Sequence, residues 1–225
     1  MFLQTRWTIV RHAQGDDPDA AFDALAALCQ TCWAPLYAFV RRSGKSPHDA
    51  EDLTQAFFAR LLEKDHLATV GEEKGKLRSF LLVLMKRFMA NDWERGQAQK
   101  RGGGVIHVSM DQEFGEAQFK LEPADDDTPE RAFDRLWAMT LLDNVRRAMQ
   151  SEYEKSGRLR TFEALKNSLS WRSGDTSYSE IAKELECSEG AVKAAVHRMR
   201  KRYRKLLEKA IADTVSDEEA VQEEL

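Results

Sequence analysis

The sequence predicts an all-α protein made of two helical domains joined by a flexible linker. Helix-interrupting residues are few in the 225-residue chain, which has 5 prolines and 12 glycines. Apolar residues recur at intervals of three and four, the period of an amphipathic helix. A glycine-rich and then acidic stretch separates two such blocks. We therefore divide the chain into an N-terminal segment (1–16), a helical domain (17–100), an acidic linker (101–130), a second helical domain (131–212) and an acidic tail (213–225).

Start and stop signals place the helices of the first domain. Asp17 is a good cap for one helix, and Gly44 is expected to end the next one because glycine tolerates a left-handed backbone. Ser46 is expected to cap a third helix, with the Asp49 carboxylate near its positive end. A fourth helix is predicted over residues 77–99 after a loop.

Thr128 precedes a proline and is expected to cap the helix that leads into the second domain and reaches about Ser156. A short helix is expected over residues 159–169. Residues 178–204 then indicate a helix-turn-helix, the last element of this domain.

The helix-turn-helix has a small residue in its first helix, a tight turn four residues later and a buried aliphatic residue six beyond that. Ala182, Glu186 and Val192 have this spacing, although glycine would suit the turn better than glutamate. Ser188 is the expected cap of the second helix. Its apolar stripe is Val192, Ala195, Val196, Met199, Tyr203 and Leu206. Because a helix fits the DNA major groove, the first candidate function is DNA reading, and the alternative is a surface hairpin with a solvated basic face.

Charge is unevenly distributed along the chain. The net charge of −4 does not suit DNA binding, but basic residues concentrate in residues 76–101 and 193–209. Acidic residues concentrate in residues 111–130 and 213–224. Because salt screens charges over about 8 Å, local sign rather than total charge determines the partner.

Other functional classes receive little support. No window contains the roughly 18 apolar residues of a membrane helix, and no signal peptide is evident, so a cytoplasmic protein without membrane insertion is expected. Cys29 and Cys32 form a lone C-x-x-C, which we interpret as small buried side chains rather than a zinc or redox site. No phosphate loop, nucleophile elbow or metal cluster is found, so neither catalytic residues nor a cofactor is predicted.

Two segments together resemble one protein family. Residues 48–64, H-D-A-E-D-L-T-Q-A-F-F-A-R-L-L-E-K, are similar to the D-A-E-D-L-x-Q helix of bacterial sigma factors. Residues 77–104 are similar to the helix that follows it, and the helix-turn-helix to the promoter-reading end of the same family. The order also matches, so the chain resembles the extracytoplasmic-function group of sigma-70-type factors.

The resemblance implies a sigma factor, which is not an enzyme. Such a protein binds core RNA polymerase, directs it to the −10 and −35 elements of promoter DNA and helps to open the duplex. The positions that match the polymerase-docking helix are Asp52 and Gln55, with Asp49 and Glu51 beside them. Asp52 and Gln55 are three residues apart and share one helix face.

The same resemblance assigns two DNA-reading sets. The −10 candidates are Arg78, Lys86, Arg87, Asn91, Trp93 and Arg95. Phe88 and Trp93 can be either stacking platforms for unstacked bases or core aromatics. The −35 candidates are Ser188, Lys193, His197, Arg198, Arg200 and Lys201.

One alternative is a stand-alone helix-turn-helix repressor or activator with an N-terminal sensing domain, expected to dimerise. It leaves the acidic–amide helix and the basic helix after it unexplained. An anti-sigma factor or another regulator is a further candidate partner of a sigma factor. No role is assigned to the helical stretch 131–171.

Overall fold

The computed structural model describes residues 31–62, 76–98, 128–169, 177–215 and 218–225. Every regular element in these ranges is a helix, which confirms the predicted all-α class. The expected helix at Asp17 and the linker through residue 127 lie outside the described residues, as does the loop before residue 76.

The described helices are numbered here in chain order. They are α1 (residues 31–42), α2 (Pro47–Leu62), α3 (Leu77–Ala98), α4 (Pro129–Lys155), α5 (Leu159–Leu165) with a 3-10 helix at Lys166–Leu169, α6 (Tyr178–Glu184), α7 (Glu189–Ala212) and α8 (Glu218–Glu224).

The helix caps predicted at Ser46, Thr128 and Gly44 are confirmed. The Ser46 hydroxyl accepts the Asp49 backbone N–H at 3.2 Å and donates to the Asp49 carboxylate at 2.6 Å, so the start of α2 is satisfied from both sides. Thr128 accepts the Arg131 backbone N–H at 3.3 Å at the start of α4. Gly44 ends α1 with a φ of 86°, a left-handed conformation that costs glycine little.

The described residues form two compact units. The first contains the residues up to Thr140 together with Ala212–Leu225, and the second is Leu141–Ile211. The division falls inside α4. The cause is packing: Phe133 and Trp137, near the start of α4, are buried in the core of the first unit.

The core of the first unit is rich in aromatic residues. In α2, Phe57, Phe58 and Leu61 are buried, and the rings of Phe58 and Trp33 stack at 5.8 Å between centroids. From α3 the fully buried residues are Leu77, Leu81 and Met85. Burying such side chains stabilises the fold by about 1.5–3 kcal/mol each. Cys32 is also fully buried, as expected for a packing role.

The second unit is held together by the apolar faces of the helix-turn-helix. Ile181 and Ala182 of α6 are buried, and α7 buries the predicted stripe at Val192, Val196, Met199 and Leu206, with Ala195 and Tyr203 partly covered. The C-terminal half of α4 and α5 add Val145, Met149, Phe162 and Leu165. The stretch around residues 141–169, which had no role in the sequence analysis, therefore supplies four of the ten buried residues of this core.

Candidate nucleic-acid interface

The turn between α6 and α7 has the backbone expected of a helix-turn-helix. Glu186 adopts a φ of 54°, so the position where glycine was preferred is indeed left-handed. The Cys187 N–H donates to the Ala182 carbonyl at 2.9 Å, and the Glu186 N–H donates to the Lys183 carbonyl at 3.3 Å. This pair of bonds is a Schellman motif, which satisfies the last carbonyls of α6 and fixes the exit direction of the chain.

The start of α7 is capped as the sequence predicts. The Ser188 hydroxyl, a candidate DNA contact, accepts the Ala191 backbone N–H at 3.2 Å. Its side chain is exposed, and its proton is not used by this bond. Ser188 therefore orders the first turn and still presents one donor to solvent.

The exposed face of α7 carries a row of basic side chains. Lys193, His197 and Lys201 are exposed and follow one another at intervals of four, so they lie along one line of the helix surface. Arg198 is exposed beside them. No contact of these four side chains is found within the described part of the chain. Lys205 continues the line and was missed, although the four-residue repeat starting at Lys193 would have revealed it.

Two other arginines of α7 are used inside the second unit. Arg200, a −35 candidate, donates from Nε and Nη2 to the Ser168 carbonyl at 2.9 and 2.7 Å. Arg202 forms a bidentate pair with Glu152 of α4, with its Nε 2.9 Å from Oε2. The hydrogen bonds from Arg202 lower the pKa of the Glu152 carboxyl, against the opposing effect of burial. Arg200 thus holds the 3-10 helix in place, a role that its sequence position did not reveal.

The −10 candidates Arg78 and Lys86 of α3 are both paired with carboxylates. Arg78 contacts Asp134 of α4 and, at 2.7 Å, Glu224 of α8. Lys86 lies 2.7 Å from Glu130 and 5.8 Å from the centre of the Phe39 ring. The hydrogen bond from Lys86 lowers the pKa of the Glu130 carboxyl. Both cations therefore have carboxylate partners within the chain.

The remaining −10 candidates differ in what the structure describes. Arg87 and Asn91 are exposed and lie four residues apart, so they share one face of α3. Phe88 is partly buried and packs edge-on against Phe57, with ring centres 5.8 Å apart, so it belongs to the core. Trp93 and Arg95 lie within α3, but their side chains are outside the described set.

A polar face of α2 contains all four docking candidates. Asp49 and Asp52 are exposed, and Glu51 and Gln55 are half-buried. Within the described residues, the contacts of these side chains stay on the helix or its cap: Gln55 donates to Glu51 at 3.3 Å, and Asp52 lies 3.7 Å from the His48 imidazole. On the opposite side, Phe57 and Phe58 anchor α2 in the core, so this face points away from the first unit.

The described residues contain neither a membrane-spanning helix nor a metal-binding cluster. None of the described helices is long and apolar enough to cross a membrane. Within the same residues, no group of histidine, cysteine, aspartate and glutamate side chains is arranged to hold a metal ion.

Comparison with known families supplies the class of the protein. A model for sigma-70 region 2 matches residues 30–99, which include α1 to α3, and a model for sigma-70 region 4 matches residues 173–202, which include the helix-turn-helix. Curated proteins and solved structures gave no match. A basic helix-turn-helix combined with these two regions defines a transcription-initiation protein.

The two matched regions are those of sigma-70 factors, and together they support a role as an RNA polymerase sigma factor in promoter recognition. This pairing of regions 2 and 4 is typical of the extracytoplasmic-function group. Sigma factors are DNA-binding regulators rather than enzymes.

Proposed function

We propose that this sigma factor docks on core RNA polymerase through the polar face of α2, reads the −10 element with α3 and reads the −35 element with α7. The main observation in support is the line of exposed basic side chains on α7. This helix comes directly after the turn of the helix-turn-helix. In this scheme the chain supplies positioning and binding energy, and it catalyses no chemical step. We place its action in the cytoplasm with the polymerase, and an anti-sigma factor remains a proposed regulator.

Docking on the polymerase uses the exposed acidic and amide groups of α2. Asp52 is exposed over 64% of its side chain, so it is available to a cationic or hydrogen-bonding partner without any rearrangement of the core. Gln55 lies beside it on the same face and is already oriented by Glu51. Polar groups of this kind fix the register of a complex more than they add affinity.

Reading of the −35 element uses the N-terminal half of α7. Lys193, His197 and Arg198 can contact phosphates and base edges if this helix enters the major groove. Ala191 and Ala194 are exposed on the same half, and their methyl groups favour contact with thymine methyls over hydrogen bonding. Arg200 is assigned a structural role instead, because it donates two hydrogen bonds to the Ser168 carbonyl.

Reading of the −10 element uses the exposed side of α3. Arg87 and Asn91 are assigned to the phosphates and bases of the non-paired strand, with Trp93 and Arg95 further along the helix. Stacking of an unpaired base on an aromatic side chain contributes about 1–3 kcal/mol. Binding energy of this size per base favours the open duplex and requires no ATP.

Transcription in vitro tests the proposal directly. Purified core RNA polymerase, the full chain and a library of promoter fragments should yield transcripts with defined start sites, and the recovered promoters should share two spaced elements. Absence of transcripts with every fragment, together with no binding of the chain to the core enzyme, would overturn the proposal.

The docking face is tested by the double variant Asp52→Ala/Gln55→Ala. Affinity for the core enzyme should fall by roughly tenfold, as expected when a few central polar contacts are lost, while the melting temperature stays unchanged. The matched control is Gln150→Ala/Glu154→Ala, an amide and a carboxylate near the C-terminal end of α4. Equal core affinity for the two double variants would remove the assignment of α2.

A further inference from the structure

The acidic C-terminal segment is docked on the first unit. Asp213, Thr214 and Val215 are buried, and the Thr214 carbonyl accepts the Leu77 N–H at 2.9 Å at the first turn of α3. Beyond this turn, α8 places Glu223 and Glu224 beside the same end of α3. Lys76 lies 3.1 Å from Glu223 and 2.8 Å from Glu224. Glu224 also accepts from Arg78 at 2.7 Å.

The end of α3 that α8 covers is suited to anions. The first turn of α3 contains no acidic residue, although a helix N-terminus favours negative charge. Lys76 and Arg78 add two cations at this position. Glu224 is 17% exposed and lies within 2.8 Å of both cations, so it provides the negative charge that the helix itself lacks.

The contact between α8 and the start of α3 is suited to reversible release rather than to permanent attachment. The helix has seven residues, too few to remain helical in water without its contacts, and Val221 is its one buried apolar side chain within the described residues. Arg78 reaches Glu224 through Nη2, while its Nε is buried and has no partner. A phosphate oxygen can accept from Nη2 in place of the Glu224 carboxylate, because both are anionic oxygen acceptors.

We propose that α8 is an intramolecular competitor of promoter DNA, in which the carboxylates of Glu223 and Glu224 occupy the positions of backbone phosphates at Lys76 and Arg78. The inference rests on the proposed function, because it takes the −10 region of promoter DNA as the ligand of α3. The buried turn at residues 213–215 is the anchor, and α8 is the part that leaves when DNA binds. Free protein is thereby kept from binding DNA non-specifically.

Glutamine in place of Glu224 tests the competition, because it keeps the size of the side chain and removes its charge. Holoenzyme carrying Glu224→Gln should bind a short −10 promoter fragment roughly three- to tenfold more tightly at low salt. The difference from the wild type should shrink as salt is raised, since screening weakens the intramolecular ion pairs. Glu219→Gln is the matched control, because Glu219 is an exposed carboxylate of the same helix with no contact among the described residues.

Hydrogen exchange of residues 218–225 in the unmodified chain provides a second measurement that does not depend on a variant folding. These amides should exchange slowly in the free protein and faster in the promoter complex. Equal DNA affinity of the two glutamine variants, or unchanged protection of α8 in the promoter complex, would show that α8 is a fixed part of the fold. Failure of the wild type to form any promoter complex would instead overturn the proposed function itself.

Discussion

The cationic side chains of α7 have two different roles, although they alternate along one helix. Lys193, His197, Arg198 and Lys201 are exposed without a partner in the described residues, whereas Arg200 and Arg202 are bound to Ser168 and Glu152. Substitutions in the two sets are expected to have different effects on the stability of the fold. An unpartnered cation can be lost without disturbing the fold, but a bound arginine leaves a carbonyl or carboxylate without its donor.

Alanine variants at Arg198 and Arg200 separate these roles. Arg198→Ala should weaken −35-dependent promoter binding by roughly tenfold and leave the melting temperature unchanged. Arg200→Ala should lower the stability of the second unit by about 1.5–3 kcal/mol, because the Ser168 carbonyl loses two charged donors. Calorimetry and promoter binding by the holoenzyme measure the two effects. A lower melting temperature for Arg198→Ala with none for Arg200→Ala would reverse the assignment.

The left-handed backbone at Glu186 also has a measurable cost. Glu186→Gly should stabilise the helix-turn-helix by about 1 kcal/mol, since glycine adopts this conformation without a side-chain clash. The side chain itself contributes little, because its contact with Arg160 is 3.8 Å long and largely exposed. Native-state hydrogen exchange of residues 189–211 reports the local stability.

Glu186→Ala is the control for that gain, because alanine removes the carboxylate and keeps the strained backbone. Its stability should remain close to that of the wild type. A gain as large as that of glycine would attribute the effect to charge near the turn rather than to backbone conformation.

At the scale of elements, α4 is the helix that supplies acidic partners to both units. Glu130 and Asp134 pair with α3 in the first unit, and Glu152 pairs with α7 in the second. Its apolar residues also contribute to both cores. Within each unit, the carboxylates of this helix therefore neutralise cations of a candidate DNA-reading helix.

The Glu152–Arg202 pair gives the second unit a pH-dependent component of stability. Hydrogen bonds from Arg202 lower the pKa of Glu152 below its ordinary value of 4.5, so the contribution is complete above that value and is lost as the pH falls through the lowered pKa. Between pH 5 and about 3, the melting temperature of Glu152→Gln should fall less than that of the wild type. The pair should contribute less than about 1 kcal/mol to the free energy of unfolding, because both side chains are substantially exposed.

Glu154→Gln is the control for this titration, since Glu154 is an exposed carboxylate on the same helix with no ion pair in the described residues. Its melting profile should follow the wild type over the whole pH range. Superimposable profiles for Glu152→Gln and the wild type would mean that the pair does not stabilise the unit.

At the scale of the whole molecule, the charges are separated rather than balanced. A net charge of −4 coexists with a line of exposed basic side chains on α7, and the described carboxylates of α4 and α8 pair with cations of α3 and with Arg202 instead. Screening over about 8 Å makes such separation effective at physiological salt. Promoter binding is therefore expected to depend on particular exposed cations, not on total charge.

Salt dependence measures how many of these cations neutralise phosphates. Promoter affinity of the holoenzyme should fall linearly on a double logarithmic plot against salt, and Lys193→Gln/Lys201→Gln should reduce the magnitude of the slope by about two. The control Lys45→Gln/Lys155→Gln removes the same charge from two positions outside α7. Equal slopes for the two double variants would exclude α7 as a phosphate-binding helix.

The helices and their ends follow from local chemistry, and this explains why they could be predicted. Ser46, Thr128 and Ser188 cap helices because a side-chain oxygen can satisfy a neighbouring N–H wherever the rest of the chain lies. The left-handed turn at Glu186 follows from the spacing between two amphipathic helices. Burial of Val192, Val196 and Met199 follows from their period, because one face of such a helix must leave water.

By itself, the sequence determined the all-α class, the helix-turn-helix and the family to which its motifs belong, since each depends on residues close together in the chain. The tertiary structure decided which cations are available. Arg78 is 146 residues from Glu224, and Arg200 is 32 residues from the Ser168 carbonyl. No local sequence pattern encodes these contacts. They form only when the packing of apolar faces brings distant helices together.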